Sequence, residues 1–150
     1  LHAGLRVAEL TGMRIEHMDF RRKTLRVRGK GDRDRVLPIP TALIGPLRGL
    51  IGPRKEGLVF LSRFGRRLKE QTVRKLVKTL AAKAKLPGAR DPRRWHPHCF
   101  RHACATRMLE SGATIYEVQQ VLGHSSIAVT QVYLSTTPEK LREAIDRPYR

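Results

Sequence analysis

"KTLRVRGKGDRDRVLPI", residues 23–39, decides the fold class. Leu25 and Val27 alternate with Thr24, Arg26 and Arg28, and a period of two means strand. The "GKGD" that follows is a turn, and Val36, Leu37 and Ile39 begin the return. These residues predict a β-hairpin with Lys30 at or beside its tip.

Upstream, "GLRVAELTGM" (4–13) predicts a short helix with Val7, Ala8 and Leu10 apolar, broken near Gly12. Downstream, Pro38, Pro40, Pro46 and Pro53 punctuate a stretch with room for a short helix, and "LVFLS" (58–62) is expected to be extended. From Thr72, the residues Val73, Leu76, Val77, Leu80, Ala81 and Ala84 recur at helical spacing and predict one apolar face opposite lysine and arginine. A loop, "LPGARDPRRWHP", leads to a helix from about His98 to Ser111, stopped by Gly112. Thr114 and Glu117 of "TIYE" form a capping box for a helix that buries Ile115, Val118, Val121 and Leu122, with Gly123 at its C′ position. Further helices are expected over Ile127 to Leu134 and from Thr137-Pro138 onward. The predicted class is mostly α with a small antiparallel β-sheet (α+β).

The formal net charge of +18 over 150 residues calls for a polyanionic partner, with nucleic acid the first suspect and an anionic membrane surface the second. No apolar run approaches a membrane span, and no signal-peptide pattern opens the chain. Cys99 and Cys104 are no disulfide framework, which points to a reducing cytoplasm. The opening at Leu1, in mid-pattern, reads as part of something longer.

Arg6, Lys30, His98, Arg101, His124 and Tyr133 are of the types phosphate chemistry needs. Each has a plain alternative. Arg6 could pair only with Glu9, and Lys30 could be a solvated turn lysine. His98 could cap its helix, and Arg101 could face solvent. His124 could satisfy helix-end carbonyls, and Tyr133 could be a core aromatic. Taken jointly, two arginines can fork onto the non-bridging oxygens of one phosphodiester. Histidines can donate hydrogen bonds or move protons, a lysine on a hairpin tip can protonate a leaving oxygen, and a tyrosine in a cationic surround can attack. This chemistry needs no metal or other cofactor.

"GLRVAEL", "RGKGDRDRVLPI", "HPHCFRHACATRMLESG" and "VQQVLGHSSIAVTQVYL", in this order, resemble the tyrosine recombinase (phage integrase, Xer-like) family, over nearly the whole chain. The resemblance implies a catalytic domain over 1–150, without the core-binding domain and preceding helix that the family carries. It implies that Tyr133 attacks a DNA phosphate to leave a 3′-phosphotyrosine and a free 5′-hydroxyl. Arg6, Arg101 and His124 would hold the phosphate and Lys30 would be general acid. His98 would assist proton transfer, and Glu9 would support the site. It also implies a homotetramer on double-stranded DNA through a final helix bearing Leu141, Ala144 and Ile145, monomeric without DNA, in a cytoplasmic, nucleoid-associated setting. Phe100 stands where leucine is usual before the arginine, and Leu134-Ser135 where threonine and histidine are common.

Basic runs lie on the hairpin, with Arg26, Arg28 and Arg35 among them, and over Arg63 to Lys78. Arg26, Arg28, Arg66, Arg67, Arg74 and Lys75 are expected to contact DNA, most of them at backbone phosphates. Three rival readings stand beside it: an inactive DNA-binding recombinase fragment, a type IB topoisomerase-like relaxing activity, and a zinc site from His96, His98, Cys99, His102 and Cys104. The last lacks both HExxH and paired CxxC patterns.

Overall fold

In the computed structural model the described residues are 4–29, 34–88, 91 and 95–123. Five helices and a three-stranded sheet make up these segments. In chain order they are α1 (Val7–Thr11), a 3-10 turn (Ile15–His17), β1 (Met18–Asp19), β2 (Thr24–Arg28), β3 (Asp34–Pro38), α2 (Thr41–Ile51), α3 (Glu70–Lys83), α4 (Pro97–Glu110) and α5 (Ile115–Leu122). The α+β class expected from the sequence holds.

The hairpin pairs antiparallel from Thr24↔Pro38 to Arg28↔Asp34. Leu25 and Val27 are buried while Arg26 and Arg28 are exposed. On the return strand Leu37 is buried, but Val36 points outward and is 62% exposed. The short β1, which the alternation did not reveal, adds a third strand in the order β1-β2-β3. The Asp19 carboxylate accepts from the backbone N–H groups of Arg21 and Arg22 and turns β1 into β2.

The inner face of the sheet (Leu25, Val27, Leu37, with Ile39 just beyond) packs against Ile44 and Leu47 of α2. Ile51, the next residue on that stripe, closes on Ile15 and Val59. This packing explains α2, which is longer than the prolines suggested. It runs through Pro46 because Ile44, Leu47 and Ile51 share one face and bury it together. The extended expectation for residues 58–62 is met only by isolated bridges, Arg14↔Leu58 and Leu61↔Arg67, with Val59 N–H donating to the Met13 carbonyl.

The broad apolar face expected for α3 is corrected. Val73 and Ala81 are buried, whereas Leu76 and Leu80 are 53% and 54% exposed. The helix begins at Glu70 and contacts α1 and α4, and its buried and half-buried apolar residues, 73, 77 and 81, form a single row spaced by four. Leu76 and Leu80 lie on the neighbouring row, outside it.

The site depends on α4 and α5. A turn at Gly112, with φ of +88°, reverses the chain between them. Ala105, Val118 and Leu122 are fully buried between the two helices, and each large apolar side chain so buried contributes about 1.5–3 kcal/mol. The capping box forms as expected: Thr114 Oγ1 accepts from Glu117 N–H at 3.2 Å, and Glu117 Oε2 accepts from Thr114 N–H at 2.7 Å. Eight residues alone would not hold a helix. Cap and burial together fix this one, and so fix where its last carbonyls point.

Candidate active site at the end of helix α5

Helix α5 ends at Gly123 in the left-handed conformation, φ +63° and ψ +48°. Its final carbonyls have no partner within the helix and carry the negative end of its dipole. Three guanidinium groups meet them in succession. Arg35 Nε donates to the Val121 carbonyl at 2.9 Å. Arg101 Nη2 donates to the Leu122 carbonyl at 2.5 Å. Arg6 Nη2 donates to the Gly123 carbonyl at 3.3 Å.

The three arginines arrive from different parts of the chain. Arg101 sits in the second turn of α4, its residue only 5% exposed, so the plain alternative that it faces solvent does not hold. Its Nη1 also donates to the Gly4 carbonyl at 2.6 Å. Gly4 can approach this closely because it is glycine: a Cβ there would lie 2.5 Å from Leu122 Cδ2, and its φ is +53°. Arg6 stands just before α1 with its side chain 40% exposed. Arg101 is thus enclosed by protein, while Arg6 keeps a face toward solvent.

Glu9 ties this cluster together. Its carboxylate, only 7% exposed, accepts from Arg6 Nη1 at 3.1 Å and from the Arg6 backbone N–H at 2.8 Å. Arg35 grips it with a two-pronged fork, Nη1 to Oε1 at 3.0 Å and Nη2 to Oε2 at 2.9 Å. Burial on its own would raise the Glu9 pKa. The Arg35 fork, the Arg6 backbone N–H, the Arg35 charge and the Arg6 side-chain bond outweigh it and hold the carboxyl below its ordinary value. Glu9 therefore remains charged at neutral pH.

Beside Arg6 opens a cleft of about 460 Å³, lined by Arg6, Glu9, Arg14, Arg26, Arg28 and Arg67. Five cations and one carboxylate, itself already paired, leave a positive field directed at the mouth. Not every arginine there has its donors turned outward. Arg67 Nη2 donates to the Ala8 carbonyl at 3.1 Å and to Thr11 Oγ1 at 3.3 Å, which docks the 61–67 turn on the end of α1. Arg14 pairs with Glu16, and Arg74 with Glu70 at 3.6 Å. Arg66 and Lys75 are exposed.

Of the residues chosen from sequence, the structure brings together Arg6, Glu9 and Arg101. His98 is exposed in the first turn of α4, its ring 6.0 Å from that of His96. Lys30, His124 and Tyr133 lie outside the described residues, as do the expected last two helices with Leu141, Ala144 and Ile145. Among the described residues no group of three or more His, Cys, Asp or Glu is placed to hold a metal. Cys104 is buried against Gly4, and burial pushes its thiol pKa up, which disfavours the thiolate a metal would take. No described helix is long and apolar enough to cross a membrane.

Arg35 is the residue that sequence reasoning misplaced. It was grouped with the hairpin's phosphate-contacting arginines, yet its side chain is only 10% exposed and faces inward. One signal was available: on β3 it alternates with Asp34 and Val36, both exposed, which sets it on the opposite side of the strand.

Comparison with known proteins agrees with this picture. The family model described as "Phage integrase family" matches residues 1–140. The tyrosine recombinase XerA of Thermococcus onnurineus is 39% identical over 146 residues, which cover 97% of this chain and 51% of that protein. The crystal structure of a XerA recombinase superposes with a TM-score of 0.77 at 29% identity, over 99% of this chain and 54% of that one. A post-cleavage complex of the XerH site-specific recombinase bound to a palindromic difH substrate gives 0.77 at 25% identity, over 99% and 43%. The chain spans about half the length of the relatives it matches.

Proposed function

Since this chain belongs to the phage integrase family, we propose that it is the catalytic domain of a site-specific DNA recombinase. It breaks and rejoins DNA strands through a covalent 3′-phosphotyrosine at Tyr133, with double-stranded DNA as its partner. The observation that carries this reading is the convergence of Arg6 and Arg101 on the carbonyls of Gly123 and Leu122, immediately ahead of His124.

Attack by a phenolate on a phosphodiester builds negative charge on the non-bridging oxygens as phosphorus becomes five-coordinate. Two fixed guanidiniums and a histidine offset that charge, and fixed donors of this kind contribute about 3–4 kcal/mol each. Because Arg6 and Arg101 already hold oxygen acceptors, their orientation is set before DNA arrives. A phosphate oxygen carries charge and is a stronger acceptor than a carbonyl, so it competes for these donors. The phosphotyrosine conserves the phosphoester bond, and a 5′-hydroxyl from another strand reverses the step. Lys30 protonates the leaving 5′-oxygen, and His98 assists the proton transfer from Tyr133. The cleft with Arg26 and Arg28 takes the flanking phosphates. Tetramer formation on DNA through the final helix is part of the same reading.

The test is covalent capture on nicked duplexes made from the DNA flanking the gene, using the full-length protein. A detergent-stable protein–DNA adduct is expected, formed in chelator and lost in Tyr133→Phe. An adduct that persists in Tyr133→Phe contradicts the assignment.

A further inference from the structure

We propose that Arg35 is a positioning residue for the reaction: it locks the Glu9 carboxylate and the end of α5 together, and so sets the guanidinium of Arg6 and the segment that leads into His124. The proposal rests on the recombinase reading for its chemistry and on the contacts of Arg35 for its geometry.

Three parts of the fold meet at this one side chain: β3, the start of α1 and the end of α5. Arg35 stands on β3, the return strand of the hairpin. Its two terminal nitrogens fork onto Glu9, whose other contacts are the side chain and backbone N–H of Arg6. Its Nε binds the Val121 carbonyl, one turn-end before His124. A lysine could supply the charge but not all three bonds, because only a guanidinium presents a planar fork with a further N–H directed elsewhere.

A second observation points the same way. At Gly123 an added Cβ would lie 2.8 Å from Arg35 Nη1 and 3.0 Å from its Cζ. The end of α5 is therefore shaped around the guanidinium plane, and the positive φ of Gly123 is not the only reason for glycine there. Both terminal nitrogens of Arg35 are held by a charged carboxylate, whereas those of Arg101 hold neutral carbonyls that a phosphate oxygen can outcompete. Without Arg35, Glu9 would be left buried with Arg6 as its remaining partner, and Arg6 would be drawn toward Glu9 rather than held between Glu9 and the Gly123 carbonyl.

The experiment compares wild type, Arg35→Lys, Glu9→Gln and the double variant in the full-length protein, at a temperature where circular dichroism shows all four folded. The probe is the nicked duplex that wild type captures. Arg35→Lys should slow covalent capture about 100-fold, the cost of a small misplacement of reacting groups, while affinity for uncleaved duplex in a Tyr133→Phe background stays at the wild-type value. The double variant should be no slower than the slower single one, since both changes break the same link. Capture by Arg35→Lys at the wild-type rate overturns the proposal. So does a loss of capture that merely follows a loss of duplex affinity, or effects of the two single changes that multiply. The Nε–H resonance of Arg6 in the DNA-free protein supplies an arm independent of activity. It should move or broaden in both Arg35→Lys and Glu9→Gln, and an unmoved resonance refutes the link. A wild type that captures no duplex would count against the recombinase reading, and the resonance would still decide the role of Arg35.

Discussion

The arginines at the end of α5 and those along β2 are the same residue in two physical states. Arg101 and Arg35 are enclosed, each bound to named oxygens, and Arg6 is half in and half out. Arg26 and Arg28 stand exposed on the outer face of the sheet, opposite the buried Leu25 and Val27. Enclosure fixes geometry at the cost of needing an acceptor for every donor. An exposed guanidinium can meet a long polyanion at the surface without being carried into the core. The first state suits the stabilisation of one transition state, and the second suits affinity that is shared over many phosphates and weakened by salt.

If that division is right, changes in the two regions differ in kind. The largest effect is expected from Arg101→Ala. It leaves the Gly4 and Leu122 carbonyls buried without their donor, at about 1–3 kcal/mol each, and under the proposed function it also removes a phosphate ligand. Urea denaturation should show the stability loss, and covalent capture should fall beyond detection. Next comes Arg6→Ala. Arg6 is 40% exposed, and Glu9 keeps its two-pronged fork from Arg35 and the backbone N–H of residue 6, so the fold should hold. Capture should nonetheless fall about 10²–10³-fold, and a fall of only a few-fold would separate Arg6 from Arg101 in role.

The exposed region should respond differently. Arg26→Ala with Arg28→Ala should lower duplex affinity and reduce the salt slope of log affinity by about 1.8, with the capture rate at saturating duplex unchanged. A slower rate at saturation would blur the comparison. The smallest effect concerns pH. Glu9 has a folded pKa below its ordinary value of 4.5, so it contributes stability at neutral pH that is lost as pH falls through the folded value. Chemical denaturation from pH 6 downward should show this loss, and Glu9→Gln should flatten that part of the profile.

What could be read from the sequence follows the range of the forces involved. The hairpin, the caps of α5 and the Arg6–Glu9 pair are local. Alternation at Leu25 and Val27, the Thr114-to-Glu117 spacing and a separation of three residues fit inside short windows. Arg35 was not legible as a site component because its partners Glu9 and Val121 lie 26 and 86 positions away. The extent of α2 and the single buried row of α3 were equally out of reach. In α2 the burial of Ile44, Leu47 and Ile51 overrides the local effect of Pro46, and in α3 a narrow contact with α1 and α4 selects 73–77–81 over the broader apolar stripe. Periodicity reports which faces a helix offers, and the packing partner decides which of them it buries.

The most direct test of the central claim is a crystal structure of the full-length Tyr133→Phe protein on the duplex it recognises. Arg6 and Arg101 should both donate to the non-bridging oxygens of a single phosphodiester beside the end of α5, with the ring of residue 133 facing that phosphorus. A duplex seated on Arg26 and Arg28 alone, with Arg101 still holding the Gly4 and Leu122 carbonyls and no phosphate shared with Arg6, would contradict it.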